Sequence, residues 1–285
     1  MNPSAIRRAL LLTSLITALL TSGAVRVLTA PSHARLLWIV ASSGLKRLEA
    51  TPHPAGLLHQ AFDHAGTWVI VGPRLPAWLA SWRCRRVFSF RSYTAMQKRL
   101  GHPTGIWGVL FDPENWPFTP PIERQDVPGY TARVARLVHA RGLRLIVTPG
   151  TDLAHSLLPR PGNQFRAFVR LGLARRIAAA ADVYEIQSQG AENHPRLFAW
   201  YIAQEAAQVR AGNPHATVLA GLSTNPHGLR VTGAEVFREV QATRHLVQGY
   251  WLNVPQGGPG CPTCGRAQPQ VAIQLLESLR AKELL

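Results

Sequence analysis

Two carboxylates stand two residues apart in Asp112-Pro113-Glu114, directly after the apolar run Ile106–Phe111, in a chain with only fifteen acidic residues. Paired carboxyl groups are the equipment of general acid–base chemistry, where one donates a proton and the other accepts one or attacks. Side chains alternate faces along a strand, so Leu110, Asp112 and Glu114 share one face and Val109 and Phe111 the other. Pro113 has no N–H to give a ladder, so the regular strand should end here. A third carboxylate, Glu185, lies inside the strand-like run Val183–Gln189. There Glu185, Gln187 and Gln189 share a face opposite Tyr184 and Ile186. A carboxylate inside a strand costs several kcal/mol if buried without partners, so Glu185 should meet donors or water in a cavity.

Carboxylates, amides and tryptophans together suit a sugar. Asp, Glu, Asn and Gln exchange hydrogen bonds with hydroxyls, and Trp faces take the apolar face of a pyranose. Cleaving a glycosidic bond needs one carboxylic acid at the leaving oxygen and usually a second carboxylate as base or nucleophile. Glu114 and Glu185 are the expected pair. Asp112 either raises the Glu114 pKa by like-charge repulsion or orients a substrate group. Trp107, Trp116, Gln187, Gln189, Asn225, Trp251 and Asn253 are the expected sugar-binding side chains. The eleven histidines are dispersed and none sits on a clear strand end, which argues against a His-lined metal centre. No metal or other cofactor is expected, and no Gly-x-Ser-x-Gly elbow suggests a serine esterase.

The elements that must position these groups alternate. Strands are expected at Trp68–Val71, Arg86–Phe90, Ile106–Phe111, Leu143–Val147, Val183–Gln189, Thr217–Leu222 and Gln248–Val254. A turn and short helix are expected over Pro73–Arg83, and helices at Ser92–Leu100, Tyr130–Arg141, Phe165–Ala181, Pro195–Ala211, Ala234–Thr243 and Val271–Lys282. Leu36–Val40 reads as an eighth strand or the start of a helix. Alternating β and α elements imply parallel strands with crossover helices. Seven or eight strands, with no Gly-rich dinucleotide fingerprint and no P-loop, point to an α/β fold of the (β/α)8 TIM-barrel type, complete or distorted. Catalytic groups in such barrels come from the C-terminal strand ends, where Asp112, Glu114, Gln187, Asn225 and Asn253 fall. Thr148 ends the strand that begins at Leu143, and Asp152 follows in the loop beyond Pro149-Gly150.

The spacing Gly108-x-x-x-Asp112-x-Glu114 resembles the strand signature of chitinase-like family 18 glycoside hydrolases. The resemblance covers about seven residues and implies Glu114 as the acid and Asp112 as the residue that orients an N-acetyl group. Trp107 and Leu110 stand where that family has its earlier aspartates, and Pro113 follows Asp112. As a whole the chain resembles uncharacterised exported barrel proteins of high-GC bacteria, a likeness that implies no activity.

Composition bounds the rest. The 285 residues carry a formal charge of +16, and only three of the 31 basic residues are lysine. Scattered arginine in an Ala-, Gly- and Pro-rich chain suits a coding bias, and no nucleic-acid motif appears, so no nucleic-acid partner is expected. Arg7 and Arg8 precede an uncharged apolar run, Ala9–Val25, and small residues follow. That order reads as a secretory signal over residues 1–34, with an uncleaved membrane anchor as the other reading. A barrel domain is expected over residues 35–285.

Three cysteines fit an exported protein. Cys261 and Cys264 in the loop QGGPGCPTCGRAQP suggest a local disulfide staple, with a reactive dithiol as the other reading. Cys84 would be free and buried. The leading expectation is a secreted, monomeric hydrolase acting on an oligo- or polysaccharide. A silent glycan-binding barrel and a membrane-tethered structural protein are the rivals.

Overall fold

The structure, a computed structural model, describes residues 35–72 and 76–285. The expected export or anchor segment over residues 1–34 and the start of the helix expected from Pro73 lie outside them. Among the described residues, no helix is long and apolar enough to cross a membrane.

Eight parallel strands close into a barrel in sequence order: β1 (Leu37–Ala41), β2 (Thr67–Ile70), β3 (Arg85–Phe90), β4 (Gly108–Phe111), β5 (Arg144–Val147), β6 (Val183–Ile186), β7 (Thr217–Ser223) and β8 (Gly249–Asn253). The ambiguous Leu36–Val40 segment is therefore the first strand. It pairs with β8 through Leu37 and Gly249. A β-carbon on Gly249 would stand 2.0 Å from the Leu37 carbonyl oxygen, so closure at this seam requires a glycine. Helices α1 (Ser42–Glu49), α2 (Leu57–Phe62), α3 (Tyr93–Arg99), α4 (Pro121–Gln125), α5 (Val127–His139), α6 (Leu153–Leu157), α7 (Gln164–Arg170), α8 (Leu173–Ala178), α9 (Pro195–Gly212), α10 (Gly233–Thr243) and α11 (Pro269–Arg280) surround it. Between β2 and β3 the described residues hold only a 3-10 turn at Ala77–Leu79.

Two apolar layers follow from strand alternation. One inward residue per strand fills the barrel: Ile39, Trp68, Val87, Leu110, Ile146, Val183, Leu219 and Trp251. The outward set, including Val109, Phe111, Tyr184, Ile186, Tyr250 and Leu252, packs against the helices. Each large side chain so buried contributes about 1.5–3 kcal/mol, which makes a one-residue register slip prohibitive. The face assignments expected for β4, β6 and β8 hold throughout.

The continuous helix expected over Phe165–Ala181 is instead two. Gly172 takes φ 61°, a left-handed conformation, and breaks the run between α7 and α8. Gly142, also left-handed at φ 69°, follows α5 where a stop was expected.

Candidate functional site

The C-terminal ends of the strands open into a bowl of about 460 Å³. Asp112, Glu114, Trp116, Gln187, Gln189, Trp251 and Asn253 all line it, so seven of the expected site residues meet there.

Local structure explains the position of the carboxylates. Asp112 follows β4 inward-facing and is 7% exposed; its Oδ1 accepts from Thr148 Oγ1 (2.9 Å) and from Gln187 Nε2 (2.9 Å). The same Gln187 nitrogen donates to Glu114 Oε1 (3.2 Å) and to the Thr148 carbonyl (3.0 Å). One amide on the β6 side thus ties together two carboxyl groups from the end of β4. Thr119 holds the loop beyond: its hydroxyl accepts from the Glu114 N–H (3.2 Å) and Trp116 Nε1 (2.9 Å) and donates to the Arg91 carbonyl (2.8 Å). The Asn115 N–H donates to Asp152 Oδ1 (3.0 Å), which joins the end of β5 to this loop.

Electrostatics separates the two carboxyl groups. Burial pushes Glu114 up to about 9, reinforced by the charges of Asp112 and Asp152, while the Gln187 hydrogen bond and Arg91 oppose the rise. Asp112 is raised by burial only to about 6, because the Thr148 hydrogen bond, Arg91 and the adjoining Glu114 favour its charged form. At neutral pH the pair therefore holds one proton on Glu114 and one charge on Asp112. Asp152 is also raised by burial, against the Asn115 hydrogen bond.

Glu185 requires a correction. It faces inward as expected but is wholly buried beneath Gln187 and does not line the bowl. Neither of its carboxyl oxygens makes a well-formed hydrogen bond among the described residues, and the Gln189 side chain is the polar group set against it. Burial and the charges of Asp112 and Glu114 push its pKa well above the ordinary range. Kept neutral, the group avoids the cost of a buried charge. It is part of the floor and cannot attack a substrate in the bowl.

Two further expectations are corrected. Trp107 precedes β4 and sits at the opposite, N-terminal end of the barrel. Its ring lies 5.6 Å from Trp68, with the Arg85 guanidinium 5.1 Å above it, a stacked plug rather than a sugar platform. Asn225 is 3% exposed, and its Nδ2 donates to the carbonyls of Cys264 (2.8 Å) and Arg266 (3.3 Å). It fastens the loop behind the wall instead of facing a ligand. Cys261 and Cys264 are joined in a disulfide and line the bowl, and Cys84 is a buried free thiol, which burial raises to about 11.

Sequence reasoning missed Arg91 and His227, and it noted Asp152 without giving it a role. All three line the bowl. Arg91 directly follows β3 and stacks over Trp116 (4.8 Å) and Phe118 (4.5 Å). His227 lies four residues beyond β7 in a left-handed conformation (φ 51°), against Gly190. Its strained backbone leaves no mark in the sequence beyond the Asn225-Pro226 pair before it. Glu192, just beyond Gly190, is buried; its carboxylate accepts from the N–H groups of Gly190 and Ser223, so it braces the loops rather than the ligand.

No family model and no curated protein matches the chain. Among solved structures it is similar to the N-terminal domain of a candidate aldolase from Bacteroides vulgatus, at 9% identity and a TM-score of 0.46, over 88% of this chain and 81% of that one. A triosephosphate isomerase from Bartonella henselae aligns at 12% identity and a TM-score of 0.36, over 76% of this chain and 92% of that one. Likeness this distant carries no argument about chemistry.

Proposed function

We propose that this chain is a carbohydrate-active hydrolase that cleaves a glycosidic bond at the barrel mouth. The observation that supports it best is the Gln187 amide bridging Asp112 and Glu114 on the wall of an open bowl that also holds Trp116 and Trp251. Glu114, protonated at neutral pH, is the acid for the leaving oxygen. Asp112 stays ionised beside it and orients a substrate group or the developing positive charge. Asp152, on the same rim, takes the role first given to Glu185 and activates water. Trp251 and Trp116 hold the ring faces, and Gln189 and Asn253 the hydroxyls. The apolar run at the N-terminus favours action outside the cytoplasm.

Screening on bacterial and fungal polysaccharides, with Glu114→Gln and Asp152→Asn in parallel, tests this reading. Turnover that falls by about 10²-fold or more in Glu114→Gln supports the acid assignment. Unchanged turnover in both variants removes it, and binding with no turnover in the parent favours the silent glycan-binding barrel.

A further inference from the structure

A second and larger hollow, about 880 Å³, lies at the N-terminal ends of α7 and α9, the helices that follow the C-terminal ends of β5 and β6. Asn163, Arg166, His194, Arg196 and Trp200 are among the residues that line it, and none of its lining residues is acidic. The two hollows meet in sequence at the start of α7, where Asn163 lines this one and Gln164 the bowl. The Asn163 side chain caps α7 by accepting from the Arg166 N–H (3.1 Å), and the Arg166 guanidinium lies 4.9 Å over the Trp200 ring. Neither Arg166 nor Arg196 has a carboxylate partner among the described residues. The bowl carries both signs, with Asp112, Glu114 and Asp152 beside Arg91 and His227.

Resting on the glycan reading of the bowl, we infer that this groove binds the continuation of an acidic sugar chain, one bearing uronate carboxylates. Arginine guanidinium groups match a carboxylate in a two-pronged geometry that a hydroxyl cannot exploit. The Trp200 ring beneath Arg166 holds that guanidinium in place for the carboxylate. The arginines, unpaired among the described residues, draw a carboxylate-bearing ring to the groove, so a uronate sits beyond the scissile bond.

Calorimetry on the catalytically blocked Glu114→Gln protein tests this with hexasaccharides of galacturonate, mannuronate and glucuronate. A fully methyl-esterified galacturonate hexasaccharide and a single-stranded oligodeoxynucleotide are the comparators. At least one uronate should bind more tightly than the ester, and Arg166→Ala/Arg196→Ala should weaken it about tenfold or more while leaving the ester within about twofold. Both substituted side chains are exposed, so the double variant should fold. Equal affinity for ester and acid, no uronate binding, or tighter binding of the oligonucleotide overturns the inference. Cleavage of neutral glycans without any uronate preference would sink the groove alone and leave the bowl's chemistry standing. Uronate binding by the arginines with no turnover of any glycan would do the opposite.

Discussion

A β-carbon on Gly150 would stand 2.7 Å from Cγ of Glu114, and also 2.6 Å from Oδ1 of Asp152. The glycine after β5 is thus the surface against which two bowl carboxylates are seated. Its own N–H donates to the Pro113 carbonyl (2.9 Å), so the contact is fixed from both sides. Gly150→Ala should displace Glu114 at a stability cost of about 1–3 kcal/mol. A shift of the acid by about 1 Å is worth about 10²-fold in rate. The expected outcome is a folded protein with turnover reduced by about that factor and KM little changed, measured alongside thermal unfolding.

The shared proton on Asp112 and Glu114 predicts a bell-shaped pH profile. Activity rises as Asp112 ionises near 6 and falls as Glu114 loses its proton near 9. Gln187 favours the charged form of Glu114, so Gln187→Leu should move the alkaline limb to higher pH while lowering the plateau. A limb that moves to lower pH, or does not move, would separate Gln187 from the acid.

The barrel and much of its mouth were legible because strand alternation is a local rule. Asp112, Glu114, Gln187 and Trp251 were placed on the correct face by counting in twos from apolar neighbours. Depth along the strand was not legible by the same count. Glu185 and Gln187 share a face, yet one is sealed in the floor and the other lines the bowl, a difference set by the layers stacked above Val183. Trp107 failed for a related reason: it stands before its strand, and the end of the barrel follows from the register with β3 and β5. Arg91 was within reach, being the first residue after β3, but a search for acids and amides passed over a cation. His227 was beyond reach, because the fold of the loop after β7 decides where it points.

The disulfide joins residues only three apart, so it constrains the unfolded chain little. Its effect should be local. Gly258 and Cys261 form a bridge, Asn225 holds the Cys264 carbonyl, and Gly260 sits against Arg91 and Trp116. Cys261→Ser/Cys264→Ser should lower Tm by under about 4 °C but weaken glycan binding several-fold as that wall loosens. A large Tm loss with unchanged affinity would reverse this division between fold and site.

Away from the bowl, α9 buries Glu205 with no hydrogen-bond partner for either carboxyl oxygen among the described residues. Burial raises its pKa from 4.5 to about 8. The sign of the consequence follows from linkage. In the unfolded chain the group ionises near 4.5, whereas in the folded protein it stays neutral until about 8. Its contribution is therefore intact below about 4.5 and is lost progressively as pH rises to about 8, at about 1.4 kcal/mol per unit. Glu205→Gln keeps the shape and removes the titration. Denaturant unfolding should show the variant close to the parent at pH 4.5 and more stable than it at pH 8, with the gap opening between those values. A gap that is constant with pH would mean that Glu205 finds a partner for its charge in the folded protein.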